Sequence, residues 1–316
     1  MRFSDASISS TGAFLVGELE RLDPVLKEPL HDFTWSRDID VREDVTIADE
    51  VSSFIYSTYA GGFGGTSIGK KSWIAGRDTT PSRVAVSATK VTSPMTLWGE
   101  EIVYSIFELE KAMQVGRPID VQKLDAMHIK HQLDCDTQVY VGDAEIGVTG
   151  LLNNASVTVN NAEVAWTKNL LPADILRLFN DFIEKAWAAT QYVRMPNRIL
   201  VPPTVFAQIA GMQLPNTQAS VLKFVTDNNI AKLQGIDLDI LPCKWLGNSA
   251  YFETPRMVAY TKARDVVRFP LVPLQSMPVQ FRDYNQVVPY YGALGAVEFV
   301  RPEMVSYLDF EEESGS

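Results

Sequence analysis

Apolar and polar positions change their period several times along this chain, and the changes divide it. From residue 1 to about 50 the apolar residues are scattered, and the stretch from Glu18 to Glu50 is rich in Asp, Glu, Pro and Arg. Such a segment buries little by itself and is expected to be an extended arm. Asp23-Pro24 and Glu28-Pro29 hold the residues before proline away from helix. Ser36 to Ile47 alternates polar and apolar residues, as a strand on a partner's edge would. A β-branched and aromatic run, Val51 to Tyr59, opens the next region. Glycines 61, 62, 64, 65 and 69, the Thr79-Thr80-Pro81 turn and the run Arg83 to Thr92 complete a strand–turn–strand pattern. Residues 51–98 are therefore expected to form a long β-hairpin projecting from the body.

The period then becomes helical. Glu100 to Met113 is expected to be one helix, Gly116-Arg117-Pro118 breaks it, and a long helix follows over Ile119 to Val139. Val121, Leu124, Met127, His128, His131 and Cys135 share one face of that helix, with Asp120, Gln122, Lys123, Lys130 and Gln132 opposite. Residues 155–268 alternate helices and strands. Leu171 to Ala189 carries the apolar stripe Ile175, Leu178, Phe179, Phe182, Ala186 and Ala189. Short helices at 204–212 and 219–228, and strands at 198–202, 236–242 and 256–261, make this an α/β or α+β domain. Residues 269–316 are strand-rich and broken by proline, with Gly292 to Ala296 as a turn. Val297–Arg301 and Met304–Leu308 read as returning strands before the acidic tail.

Composition narrows the function. With 316 residues and 46% hydrophobic content, the chain can hold one large or two medium cores. No stretch approaches the roughly 18 apolar residues of a membrane span. Met1-Arg2-Phe3-Ser4-Asp5 lacks the apolar core of a signal peptide, so a cytosolic product is expected. Two distant cysteines, Cys135 and Cys243, predict reduced buried thiols. A net charge of −11 argues against sequence-specific nucleic-acid binding. Ordinary solubility accounts for it.

Candidate chemistry is thin. Gly64 to Lys70 approaches a phosphate-binding loop, but Lys71 stands where the magnesium-binding hydroxyl belongs and no long helix follows. Nucleotide binding is not expected. His128, His131 and Cys135 could begin a zinc site, but Ile129 replaces the glutamate of a zinc-protease motif and no second cluster completes four ligands. No Gly-x-Ser-x-Gly elbow occurs. Neither a catalytic centre, nor a metal, nor a cofactor is expected.

One motif is specific. The long helix ends in Val141-Gly-Asp-Ala-Glu-Ile-Gly147-Val-Thr-Gly150-Leu-Leu-Asn153-Asn154. A polar-backed helix followed by this run resembles the HK97-type major capsid proteins of tailed bacteriophages. Phe14 to Pro24, Trp35 to Asp40 and Val221 to Asn228 resemble one branch of those coat proteins. The resemblance implies an α+β capsid fold: an N-terminal arm (1–50), an E-loop hairpin (51–98), a peripheral P domain with its spine helix (99–154), an axial A domain (155–268), and returning P-domain strands with a tail (269–316).

It further implies self-assembly into hexamers and pentamers of an icosahedral head, around double-stranded DNA held without sequence preference. Portal, and scaffold or decoration proteins, would be further partners, with assembly in the host cytoplasm. Inter-subunit contacts are expected at Trp35, Arg37, Asp38, Asp40, Phe63, Lys70, Lys71, Trp73, Arg77 and Arg83. Val121, Leu124, His128, His131 and Cys135 would form the packed face of the spine. Removing residues 1–40 should then leave soluble subunits that form no closed shells. Lysines 70, 71 and 90 offer a cross-linking amine, but no acceptor can be placed, and no cross-link is expected. An encapsulin-like enzyme-housing shell, or a metal- or nucleotide-dependent α/β enzyme, are the alternatives.

Overall fold

The computed structural model describes residues 31–60, 85–115, 119–162 and most of 165–311. Residues 33–316 form one compact unit. Its first element is a single helical turn, α1 (Trp35–Asp38), followed by β1 (Asp40–Arg42). The alternating stretch expected on a partner's edge is thus paired inside its own chain. β1 runs parallel to β10 (Val267–Ser276), with Asp40 opposite Arg268 and Arg42 opposite Pro270.

The hairpin is β2 (Val51–Ala60) against β3 (Ala85–Ser105). β3 changes partner midway. Residues 85–94 pair with β2, and residues 95–105 pair with β12 (Asn285–Gly295). The expected helix from Glu100 is corrected here: Glu100 to Ser105 stay in β3, and α2 starts later, over Ile106–Val115. Pairing with β12 overrides a weak helical pattern. Gly292 to Ala296 is likewise no turn, because β12 runs through Gly295. At Gly295 a Cβ would press on Pro270 and Met95, so glycine serves close strand packing. The larger sheet has the order β1-β10-β12-β3-β2, with β11 (Gln280–Arg282) on β12 and β13 (Glu298–Phe299) on β10.

The spine is α3 (Ile119–Tyr140), and a small hairpin follows, β4 (Gly142–Asp143) against β5 (Val148–Thr149). The second sheet has the order β6-β14-β9-β7-β8, from Thr158–Asn161, Val305–Asp309, Arg256–Tyr260, Arg198–Val201 and Asp239–Pro242. The last strand, β14, therefore joins the sheet of the 155–268 region through β6 and β9, while β13 returns to the hairpin sheet. α4 (Pro172–Ala189) lays Ile175, Phe179, Phe182, Ile183 and Ala186 into the core. Pro172 sits where a missing N–H costs nothing. α5 (Pro203–Gly211), α6 (Val221–Asn228) and α7 (Ile230–Leu233) complete that core. Ser220 and Asn229 cap α6 and α7 by accepting from the backbone N–H of Lys223 and Lys232.

A second core surrounds the C-terminal half of the spine, with Cys135, Val139, Tyr140, Leu151, Leu152, Tyr260, Phe269 and Tyr307. Burial along α3 follows Met127, His131, Cys135 and Val139. The expected face is corrected at its N-terminal end: Val121 is half exposed, His128 is exposed and Leu124 only partly covered. Helical spacing identified the stripe, but full burial begins only at Met127.

Candidate assembly site

The motif after the spine is explained by its backbone. The last carbonyls of α3 have no partners within the helix. Leu151 N–H donates to Val139 O (2.7 Å), Leu152 N–H to Tyr140 O (3.1 Å) and Gly150 N–H to Val141 O (3.2 Å). Asn153 closes the turn, its Nδ2 donating to Val141 O and its Oδ1 accepting from Gly150 N–H, both at 2.7 Å. Gly142 has φ +76°, and a Cβ there would run into the Val148 carbonyl. A Cβ on Gly150 would strike the backbone of Tyr140 and Val141. Glycine, glycine and asparagine thus each meet a separate steric or hydrogen-bonding demand.

The chain's N-terminal segment is riveted beside this turn. Asp136, on the spine and fully buried, accepts from the backbone N–H of Thr34 (2.8 Å) and Trp35 (3.1 Å) through Oδ1. Its Oδ2 accepts from Trp245 Nε1 (2.8 Å) and Lys244 Nζ (2.9 Å). One carboxylate therefore satisfies the start of α1 and ties it to two other segments. Asp38, 0% exposed, takes a two-pronged Arg37 guanidinium (2.8 Å on each prong), Arg198 Nη1 (3.4 Å) and the Tyr140 hydroxyl. Tyr260 donates to the Asp38 carbonyl (2.7 Å), and Lys262 Nζ to the Arg37 carbonyl (2.7 Å). Burial pushes the Tyr140 and Tyr260 hydroxyls well above the ordinary range, so both stay protonated as donors.

This corrects two expected inter-subunit contacts. Trp35 and Asp38 lie inside their own subunit, and Arg37 is held by Asp38 and the Pro242 carbonyl (3.0 Å). Asp40 is partly exposed, 3.8 Å from Lys262. The truncation expectation moves with them: a cut at residue 40 removes Trp35, Asp38 and Ile39 from the core, whereas one at residue 32 spares the compact unit. Phe63, Lys70, Lys71, Trp73, Arg77 and Arg83 lie outside the described residues, as does the glycine-rich loop from Gly64 to Lys70.

His131 and Cys135 do meet, with Sγ 3.9 Å from the ring nitrogens. His128 points to solvent instead, and the edge-on neighbour of His131 is Trp98, at 4.8 Å between centroids. Burial pushes the Cys135 thiol up to about 12 and the His131 imidazole down. The pair is therefore a neutral packing contact. Among the described residues no group of three or more His, Cys, Asp or Glu side chains is placed to hold a metal ion.

Several large apolar side chains among the described residues are exposed. On the hairpin, Val51, Ile55 and Val86 share one face by register and are 50%, 69% and 62% exposed. At the other end of the same sheet Phe107 and Tyr284 stack at 5.8 Å beside Phe281, all three largely exposed. Asp283, at φ +53°, makes the two-residue turn that presents Tyr284. After α4, Gln191 and Tyr192 hold positive φ angles of 55° and 63°, and Tyr192 and Val193 stand in solvent. That backbone is strained. Thr190 bolts it by donating to Trp187 O (2.7 Å) and accepting from Arg194 N–H (3.2 Å). Separate exposed apolar patches on one chain mark interaction surfaces. The described pockets are shallow grooves beside α4 and β14, lined by mixed charges such as Asp174, Arg177, Asp181 and Lys185.

Exposed hairpin, capped spine and two packed sheets fit the capsid fold that the sequence motif implies. Comparison with known proteins agrees. The model of the family described as Major capsid protein matches residues 69–310. The chain belongs to that family: it is a major capsid protein, a structural component of the virion rather than an enzyme.

No curated protein matches the sequence. Among solved structures, the capsid of Myoviridae phage XM1 aligns with a TM-score of 0.76 at 18% identity, over 93% of this chain and 97% of that one. The capsid of an empty GTA particle gives 0.61 at 11% identity, over 98% and 100%. Mycobacterium phage Che8 gives 0.58 at 13%, over 92% and 96%. At such identities the likeness concerns the fold, an α+β capsid fold with mixed helices and sheets.

Proposed function

We propose that the chain forms hexamers and pentamers of an icosahedral head enclosing double-stranded DNA, assembled in the host cytoplasm. In this reading β2 and β3 are the E-loop, laid across a neighbouring subunit. The spine and larger sheet are the P domain, and the second sheet with α4 to α7 is the A domain, pointing at the local axis. The N-terminal arm ends at residue 32 instead of residue 50. Phe63, Lys70, Lys71, Trp73, Arg77 and Arg83, which lie between the two hairpin strands in sequence, are proposed contacts with the neighbour.

The observation that carries this is the bare apolar face of Val51, Ile55 and Val86. A two-stranded ribbon is marginal by itself in water. A neighbour that covers this face supplies the missing third layer. Each contact is modest, but each subunit makes many, so the closed shell gains by multivalency. The charge of −11 disfavours tight contact with DNA, which leaves the packed genome mobile. A portal is required as the DNA entrance, with scaffold or decoration proteins as further partners.

Electron microscopy of the purified chain tests the reading. Closed particles tens of nanometres across, or rings of five and six, are the expected result. A truncation of residues 1–32 should stay folded and form no closed shells. A wild-type chain that remains monomeric at high concentration, with and without scaffold, would overturn the proposal.

A further inference from the structure

The base of the hairpin holds a buried charge that nothing in shell contact requires. Glu298, on β13, is 1% exposed. Arg268 Nε donates to its Oε2 at 2.6 Å, and Arg42 Nη1 to its Oε1 at 3.1 Å. The Ser52 hydroxyl donates to the same Oε1, and Arg42 Nη1 also reaches Ser52 Oγ (2.9 Å) and the Ser53 carbonyl (3.2 Å). The other arm of Arg42 grips Asp44, at 2.6 Å. Arg268 in turn stacks its guanidinium over the Phe54 ring, 5.7 Å from its centre.

Register explains the convergence. Arg42 lies opposite Pro270, two residues from Arg268, and Arg268 lies opposite Glu298. Side chains two apart share a face, so three strands deliver Arg42, Arg268 and Glu298 to one spot. The hairpin enters that spot through Ser52, Ser53 and Phe54. It does so just where β3 passes from its β2 pairing to its β12 pairing, at Pro94 and Met95. At the same place Ala296 N–H donates to the Pro94 carbonyl (3.3 Å), and Met95 N–H to the Glu50 carbonyl (3.0 Å) closes the base of the ribbon.

We propose that Glu298 is a positioning residue, a hinge pin that makes the seating of the N-terminal segment and the angle of the hairpin one coupled variable. β1 and β2 do not pair with each other; their side-chain contact runs through Arg42, directly to Ser52 and Ser53 and by way of the Glu298 carboxylate that Arg42, Ser52 and Arg268 share. A force that lifts β1 withdraws Arg42 from Ser52, Ser53 and Glu298 together. The hairpin then loses its lock and swings on β3. By reciprocity, a neighbour that fixes the hairpin also tightens β1. The consequence for shells, that hairpin angle sets subunit tilt, rests on the reading above. The coupling within one chain does not.

Hydrogen exchange of the full-length chain tests the coupling before any assembly. Arg42→Gln should speed amide exchange of residues 51–55 at least tenfold, with α4 and β7 unchanged. Ser52→Ala, a change on the hairpin side, should speed exchange of Val41 and Arg42 at least threefold. Glu298→Asp, which keeps the charge, should restore more protection than Glu298→Ala. Exchange that changes only along the substituted residue's own strand, and not across from β1 to β2 or back, would overturn the proposal. If Arg42→Gln is insoluble, Arg42→Lys is read by the same rule.

Particles assembled from Arg42→Gln should vary in diameter more than wild type. Uniform particles built from subunits with a loosened hairpin would overturn the link to tilt. Failure of the wild type to assemble would sink the shell reading and leave the exchange result standing.

Discussion

Residues 34–42 and residues 51–60 are near neighbours in sequence, and both mix polar and apolar side chains. They end in opposite environments. The first segment buries two carboxyl-bearing contacts, Asp38 on the segment and Asp136 beneath it, because arginine, lysine, tyrosine, tryptophan and backbone donors surround each oxygen. The second leaves Val51 and Ile55 in water. Polarity alone does not decide burial: complementation does. A charged segment whose buried carboxylates are all partnered belongs to its own subunit, and the bare apolar side chains of the other are what the proposed neighbour would cover.

Substitutions in the two regions should therefore differ in kind. The largest effect is expected at the spine's end. Gly150→Ala drives a Cβ into the Tyr140 backbone and should cost about 3 kcal/mol or more, seen as lost soluble yield. Gly147→Ala, where nothing lies within 4 Å, should cost only about 1 kcal/mol for its positive φ. Equal losses at the two sites would refute the steric account.

Next comes Asp38→Ala, which removes the buried acceptor shared by Arg37, Arg198 and the Tyr140 hydroxyl. About 3–5 kcal/mol should be lost in urea unfolding. A loss near zero would place the segment outside the core.

A smaller effect follows from His131. Burial holds its folded value below the ordinary 6.5, against a raising influence of Asp134, so the folded state prefers the neutral ring. The unfolded chain takes up the proton first as pH falls. Stability is thus complete above about pH 7 and declines as pH drops through 6.5 towards the folded value. His131→Phe should flatten that decline in unfolding midpoints taken across the range, and parallel curves would exclude His131 as its source.

The smallest effect on stability is expected on the hairpin. Ile55→Ser with Val86→Ser should change unfolding by no more than about 0.5 kcal/mol while abolishing closed particles. Normal particles from that double variant would show the apolar face to be idle.

Periodicity revealed much of the fold. The stripe from Ile175 to Ala189 put α4 where it is, and residues 198–202, a short apolar run ended by Pro-Pro, and 256–261 read as strands. The Gly142 to Asn153 run was legible because each of its key residues answers one geometric demand. Glu100 to Ser105 was misread because two adjacent glutamates favour helix locally, and only the ladder with β12, far along the chain, overrides them. Gly292 and Gly295 were misread because the pattern for a turn and the pattern for tight strand packing are the same letters. Tyr140, Asp136, Arg198 and Glu298 were missed altogether. A buried charge announces itself only through partners that are distant in sequence, here by more than 100 residues between Asp38 and Tyr140.

The partner exchange of β3 also has a mechanical side. Its 21 residues, at about 3.3 Å each, make a continuous strand roughly 70 Å long. A pull along the hairpin loads the eleven residue pairs between β3 and β12 in shear, all at once, instead of unzipping them one by one. The strand acts as a tie rod: stiff in tension along its length and compliant in bending at Pro94. In the proposed shell, a wall of such ties would bend without stretching.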